Sequence, residues 1–577
     1  MTAIAARERA SIRARRIAPS TWAVIALLAV IVYLIGTPLF GLLIGAVTDS
    51  PPGAAPHFTL APLLDAYGDI SHYRSLLNSL IYAGITATLV LIVGGGLAWA
   101  AARTDSAVGR FADIFALVPI LIPSVVFVSA WVLLLGPRNG FLNLLAVNAF
   151  GIPPPFNIYS FGGIIWVSVL QELPLAFLWL WPTLRAMNPA LEEAALAAGA
   201  SPGLVLRRIS FPLLRPALVS AWIIFFIYTL GALMVPLLIG LPARIIFYST
   251  EIYLASHRVP SDLNLASAYS LLVLVTACFG IYAYRRATRD ISRFVTVTGK
   301  AFNPRITRLG RWRPAVTSFA VVILILAGGL PILVLVWTAF LPYPQIPSAR
   351  ALQLLTLANF RKALDYGPTM RALINSLWFG LASGIIGTIL GALIAWCTTR
   401  LRRPAWALSA LDQLATVPIA MPGMLVGVSL LWFYLMVPLP IYGSPLLFII
   451  AYVTLHLPYA VRICASGIAQ LHPELEEAGA MSGARWDKVF LRIVARMLAP
   501  TLLASLLYVG LRSFREYAAS LFLATPGTEV FSVLVLDMAD TGNFSMLSAY
   551  VTLVLGVLAV IVGAFSFIAR RIGVQPA

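Results

Sequence analysis

Pro-Ala-Leu-Glu-Glu-Ala-Ala-Leu-Ala-Ala-Gly-Ala-Ser-Pro-Gly-Leu-Val-Leu-Arg-Arg-Ile-Ser-Phe-Pro-Leu-Leu-Arg-Pro-Ala-Leu, residues Pro189–Leu218, is the longest polar interruption in the first half of a very apolar chain. A weaker copy runs from Pro473 to Leu502. Glu192-Glu193-Ala194 returns as Glu476-Glu477-Ala478, Gly199 as Gly483, Arg208-Ile209 as Arg492-Ile493 and Pro216 as Pro500, each 284 residues on (476 − 192). Each copy predicts two short helices with a break. Asn188 suits an N-cap, and Pro189 or Pro473 suits the first helical position, where a missing N–H costs nothing. Glu192 and Glu193, like Glu474, Glu476 and Glu477, fall in or near the first turn, where carboxylates favour the helix dipole. Gly199 or Gly483 permits a sharp turn or a close backbone approach. An amphipathic segment follows, with Leu204, Leu206 and Ile209 against Arg207 and Arg208. A helix lying flat under the bilayer is one reading. Such a helix has no use for paired glutamates and a glycine at fixed spacing, so the pattern favours a docking element for a soluble partner.

Outward from these two stretches the chain reads as membrane. Of 577 residues 60% are hydrophobic and only 11% charged, with mean hydropathy +0.91. A water-facing surface needs far more charge than that. Apolar runs of ~20 residues predict an all-α integral membrane fold; they exclude a β-barrel, whose strands are shorter and alternate. The net charge of +18 does not point to nucleic acid, because the basic residues cluster on alternate loops. Arg7 to Arg16 precede the first span, Arg285 to Arg313 lie between the sixth and seventh, Arg400 to Arg403 follow the eighth, and Arg570 and Arg571 follow the last. This is the positive-inside pattern, and it puts both termini in the cytoplasm. Cys278, Cys397 and Cys464 fall inside apolar runs, and the five histidines are scattered, so no disulfide framework, metal site or cofactor is expected. The run Thr21–Val47 is long for a signal peptide and is expected to be a retained span.

Twelve spans are predicted. In the first half they are about Thr21–Val47, Ser79–Ala102, Ile114–Leu135, Gly162–Leu184, Pro216–Leu241 and Ala266–Tyr284. In the second they are about Ala315–Leu341, Ser376–Thr399, Leu408–Val437, Pro445–Ala465, Pro500–Ala524 and Leu547–Ala569. The expected domains are residues 1–300, with a core of about 74–285 and a coupling loop at 187–215, and residues 301–577, with a core of about 371–569 and a loop at 471–499. An even number of spans per half makes this a parallel repeat about an axis along the membrane normal. Asn78-Ser79-Leu80 returns as Asn375-Ser376-Leu377, and Pro119 and Pro123 as Pro418 and Pro422, at offsets of 297 and 299 (375 − 78; 422 − 123).

Glu-Ala-Ala, then Gly, then Ile about ten residues on resembles the cytoplasmic signature loop of type I ATP-binding-cassette importer permeases. Their usual closing Ile-x-x-Pro is kept as Ile209-Ser210-Phe211-Pro212. The second copy has Arg496 in place of that proline and Gly479 in place of the second alanine. The whole chain also resembles the fused permeases of the iron(III) importer group, through Ala101-Ala102-Arg103-Thr104-Asp105, Gly140-Phe141-Leu142-Asn143 and Arg515-Glu516-Tyr517-Ala518-Ala519-Ser520-Leu521. These last marks are shared with thiamine, polyamine and phosphonate permeases. The resemblance implies that Glu192, Glu193, Ala194 and Gly199, with Glu476, Glu477, Ala478 and Gly483, form coupling helices seated on two copies of a soluble ATPase. It implies delivery of substrate, iron(III) first, by an extracytoplasmic binding protein, and rigid-body alternating access. No ATPase activity of its own is expected: Gly299-Lys300 is followed by Ala301, and Phe294 stands where a P-loop has Gly.

Ionisable groups inside the spans are costly and therefore candidates for the pathway. Glu172 precedes Pro174, and its repeat partner His456 (456 − 172 = 284) precedes Pro458. The two are expected to face each other near the pseudo-twofold axis. Arg512, Arg515 and Glu516 replace Tyr228, Gly231 and Ala232 of the first half, and Arg512 and Glu516 are expected to pair along one helix face. A structural polar contact between helices is the plainer reading of each. A major-facilitator-type secondary transporter also has six plus six spans. Its loop motif is mismatched here at Ala101, at the residue after Asp105 and at Gly109, and it gives no reason for two Glu-Ala-Ala loops.

Overall fold

The computed structural model describes residues 19–112, 114–115, 122–187, 190–288, 306–472, 474–483 and 486–571. The expected caps at Asn188, Pro189 and Pro473, the marker Pro119, the N-terminal arginines and most of the basic linker lie outside the described residues. Among the described residues the chain is helical, with two isolated bridges, Thr48 to Phe58 and Thr104 to Thr307. Nine helices there are long and apolar enough to cross a membrane, or up to eleven if each bent pair is one span. The second and eighth spans are 34-residue helices, Ile70–Arg103 and Gly367–Arg400. At ~1.5 Å per residue each is about 51 Å long, so both ends clear a hydrocarbon core of ~30 Å.

Four expected spans are broken rather than straight. The ninth is two helices, Ala405–Ile419 and Gly423–Met436, bent by 106°. Pro422 is the N-cap of the second piece in an extended conformation, as Pro123 is for Ser124–Leu135 in the third span. A proline donates no hydrogen bond and disfavours helix in the residue before it, which fixes the breaks. The eleventh span leaves its helix at Phe514 and the fifth at Leu230. Arg515 and Glu516 therefore stand in a break, not on a helix face.

The duplication is visible in individual bonds. Ser79 Oγ accepts from Tyr248 N at 2.8 Å, and Ser376 Oγ from Phe531 N at 2.7 Å. Asn78 Nδ2 donates to Ile246 O at 3.0 Å, and Asn375 Nδ2 to Glu529 O at 2.9 Å. A Cβ on Gly94 would meet Ala176 Cβ at 2.8 Å, and one on Gly391 would meet Ala460 Cβ at 2.7 Å. Glycine at this crossing lets the helix backbones touch, the usual device where both surfaces are equally apolar.

The halves interlock through their first spans. Val24, Ile31, Leu34, Ile35 and Leu42 of Pro19–Ala46 share a core with Leu425, Leu430, Phe448 and Tyr452 of the second half. Thr454 Oγ1 donates to Leu34 O at 3.3 Å, and the Tyr33 and Tyr434 hydroxyls are hydrogen-bonded. In return Ala320 of the seventh span sits in the first half's core beside Ala112 and Phe115, and Thr317 Oγ1 accepts from Ala107 N at 3.2 Å.

Candidate functional site

Each polar stretch folds as an elbow beside the C-terminal end of a long helix of its own half. In the first, Ala190–Ala197 carries Glu192 and Glu193 in its first turn, and Gly199 turns the chain at φ +86°. In the second, Glu474–Met481 leads to Gly483 at φ +77°. Both glycines occupy the left-handed region, where a side chain is strained.

Each elbow is held by an arginine from the end of a 34-residue helix. Arg103 is 4% exposed. Its Nη1 lies 3.4 Å from Glu192 Oε2, while Nε and Nη2 donate to Leu184 O at 3.0 Å and Met187 O at 3.2 Å. Glu192 Oε1 also accepts from Ser210 Oγ at 2.7 Å. In the second half Arg400 Nε lies 2.8 Å from Glu476 Oε1, and Nη2 donates to Ile468 O at 3.0 Å and Leu471 O at 2.7 Å. Trp396 Nε1 donates to Glu476 Oε2 at 3.0 Å. The first glutamate of each pair thus faces inward and fixes the elbow. Apolar side chains stand exposed on the same short helices as Glu193 and Glu474: Leu191 is 56% exposed and Met481 89%.

The sequence reading took Arg400 for a topology marker and Arg103 for part of a family resemblance, and missed this role. The signal was present, because both stand five residues after repeat-matched Ala98 and Ala395.

 The two departures of the second elbow have structural counterparts. A Cβ on Gly479 would meet Ile493 Cδ1 at 2.8 Å and Val489 Cγ2 at 3.3 Å, so the usual alanine fits only if the Ile493 tip shifts. Where Pro212 gives way to Arg496, the exit differs: Gly203–Leu230 runs on as one helix, while Leu491–Met497 and Ala499–Phe514 meet at 64°.

The intramembrane polar residues gather around a cavity of about 90 Å³ where the halves meet, enough for several waters. Ser124, Gln171, Glu172 and Tyr228 line it from the first half, and Arg512, Arg515 and Glu516 from the second. Thr229 Oγ1 lies 3.0 Å from both Glu172 oxygens, and Gln171 Nε2 donates to Ser124 Oγ at 2.8 Å. Arg515 Nη2 crosses between halves to Ile122 O at 3.1 Å, and its Nε is buried without a hydrogen-bond partner. The symmetry-related contact sets Gly231 against Pro422, where a Cβ would come within 2.8 Å. A glycine closes that side tightly, and an arginine occupies the other, which makes the cavity one-sided.

Glu172 and His456 are each engaged elsewhere than with one another. His456 Nε2 lies 3.9 Å from Glu516 Oε2, and Glu172 meets Thr229 of its own half. The expected Arg512–Glu516 pair along a helix is corrected by the break after Phe514. Glu516 Oε1 instead accepts from Ala518 N at 3.0 Å and Ala519 N at 3.2 Å. Arg512 lies over the rings of Tyr459 and Tyr508, 4.9 and 5.9 Å from their centroids. Among the described residues no three His, Cys, Asp or Glu side chains are grouped to hold a metal ion.

Residues 387–573 match the family described as binding-protein-dependent transport system inner membrane component. Similar proteins include the ferric transport system permease protein FbpB of Actinobacillus pleuropneumoniae, 26% identical over 500 residues, covering 86% of this chain and 71% of that one. A putative ferric transport system permease protein of Haemophilus influenzae is 28% identical over 466 residues, covering 80% of this chain and 72% of its own. The molybdenum transport system permease protein ModB of Azotobacter vinelandii is 28% identical over 221 residues, which are 36% of this chain but 92% of that one.

Proposed function

We propose that the chain is a binding-protein-dependent transport permease that supplies both membrane halves of an ATP-driven iron(III) importer. Two soluble ATPase subunits seat on the two elbows, and a binding protein delivers substrate to the opposite face. Both termini lie on the elbow side. The observation that carries this is the pair of elbows, each fixed from within by Arg103–Glu192 or Arg400–Glu476 and each presenting exposed apolar side chains outward. A rigid lever with exposed apolar side chains is what transmits a partner's movement to the helices behind it. The match of one-third of this chain to nearly all of a molybdenum permease supports two permease units in one polypeptide.

Iron(III) follows the names of the relatives that align over most of the chain. An oxoanion is the second reading, favoured by Arg512 and Arg515 at the cavity and by the molybdenum and sulfate permeases among the relatives. The experiment is affinity purification of the chain with its soluble partners, followed by uptake in vesicles. A P-loop subunit should co-purify and be lost with Leu191→Arg plus Met481→Arg, both exposed. Radioiron uptake without molybdate or sulfate uptake selects the first reading. Retention of the ATPase by the double variant sinks the docking assignment.

A further inference from the structure

We propose that the outer end of the first half holds a coordination site for ferric iron, or another hard trivalent cation, formed by His72, Glu251 and Tyr269 with the Tyr248 phenol beside them. The proposal rests on the iron(III) reading above and gives that substrate a first stopping point on the chain.

His72 and Arg103 lie near opposite ends of the same helix, Ile70–Arg103. The 31 steps between them (103 − 72) span about 46 Å, which puts His72 on the face away from the elbows. The Tyr269 hydroxyl is 3.0 Å from the His72 ring nitrogens, and His72 Nδ1 is 3.5 Å from Glu251 Oε1. Donors about 3 Å apart are what an octahedral ion with bonds of ~2.1 Å requires at right angles. The His72 and Glu251 side chains are 22% and 17% exposed, so the cluster reaches the surface at its edge while Tyr269 is buried. Tyr248 is 3% exposed, and its ring is 5.5 Å from that of Tyr269. The adjacent Tyr67 hydroxyl donates to Ala268 O. On binding a trivalent ion the phenolic proton would leave to water and the phenolate oxygen would join the ion.

The second half serves as an internal control. Phe531 stands for Tyr248 (531 − 248 = 283) and makes the same backbone bond to its serine. On that offset Leu534 stands for Glu251, and on the offset of the long helices Thr369 stands for His72 (369 − 72 = 297). Tyr550 keeps the place of Tyr269, 5.4 Å from the Phe531 ring, and its hydroxyl donates to Thr369 O at 2.9 Å. The same joint therefore closes with Phe, Leu and Thr. Packing does not call for a phenol, a carboxylate and an imidazole, whereas a hard cation does, since it selects oxygen donors and tolerates imidazole.

The test uses the purified full chain in lipid nanodiscs, titrated with ferric nitrilotriacetate. A visible phenolate-to-iron charge-transfer band is expected, and gallium(III) should bleach it. The variant Tyr248→Phe, Glu251→Leu, His72→Thr copies the second half, so its packing is already proven in this fold. It should lose the band or need at least tenfold more iron to show it, while Tyr253→Phe keeps it. No band in the native chain, or an unchanged band in the triple variant, overturns the site. Radioiron uptake by the assembled system is run beside it. Uptake with no band removes the site alone, and no uptake removes the iron(III) reading beneath it.

Discussion

Arg400 reaches from the end of an eighth-span helix to hold Glu476 at 2.8 Å, and the same guanidinium closes on the carbonyls of Ile468 and Leu471. One side chain thereby ties the long helix, the end of the tenth span and the elbow into a single body. Arg103 does the same in the first half through Glu192, Leu184 O and Met187 O. Arg400→Ala removes the charged partner of Glu476, at a cost of about 1.5–3 kcal/mol for a hydrogen bond to a charged group. That is a factor of roughly 10–150 in the ordering of the elbow. Uptake and ATPase co-purification should both fall in Arg400→Ala while membrane-inserted protein stays near normal, measured by quantitative blotting of washed membranes. Unchanged uptake would show that the elbow does not depend on this tie.

The second elbow should be sensitive to volume at Gly479. An added methyl comes within 2.8 Å of Ile493 Cδ1, a side-chain tip that can shift, so Gly479→Ala should cost about 1 kcal/mol or less. Gly479→Val cannot be absorbed in that way and should cost about 1–3 kcal/mol. Limited proteolysis between Glu474 and Val494 reads this directly: the valine variant should be cut much faster than the alanine variant. Equal cutting would mean that the contact with Ile493 is not what holds the elbow together.

Glu516 has two separable tasks. Its Oε1 caps the turn at Ala518 and Ala519, and its charge stands near His456. Glu516→Gln keeps an acceptor for both N–H groups and removes the charge; Glu516→Ala removes both. Folded yield, by fluorescence size-exclusion in detergent, should follow the order native, Gln, Ala, with the alanine variant losing about 1–3 kcal/mol for each of two unpaired buried donors. Uptake should drop in both. Native uptake in Glu516→Gln would restrict this residue to capping.

How much of this was legible beforehand depended on the kind of signal. The repeat, the elbows and the positions of most spans follow from apolar length and from marks such as Asn78/Asn375 and Gly199/Gly483, each of which performs the same task in both halves. What failed was continuity. Pro123, Pro422 and the residues after Phe514 break helices that hydropathy alone draws straight, because hydropathy averages over a window and a proline acts at one bond. Pairing across space was also beyond reach. Glu172 and His456 occupy matched positions, yet each found a different neighbour because Glu516 and Arg515 exist on one side only.

The exchange of first spans gives the last prediction. Pro19–Ala46 lies against Gly423–Met436, and a Cβ on Gly41 would stand 2.3 Å from Ser429 O, a backbone atom that cannot swing aside. A Cβ on Gly45 would meet Ser267 Oγ at 2.5 Å. Neither position tolerates a side chain unless the helices separate. Gly41→Val should therefore displace the first span from the second half, with an overpacking cost of about 1–3 kcal/mol or more. Gly36, one helical turn earlier, has nothing within 4 Å of its Cβ, so Gly36→Ala is the matched control. A cysteine pair at Tyr33 and Tyr434, whose hydroxyls touch, reports the docking by its crosslinking yield with a short bifunctional reagent. The yield should fall sharply with Gly41→Val and hold with Gly36→Ala. An undiminished yield in Gly41→Val would mean that the first span does not sit in the groove of the opposite half.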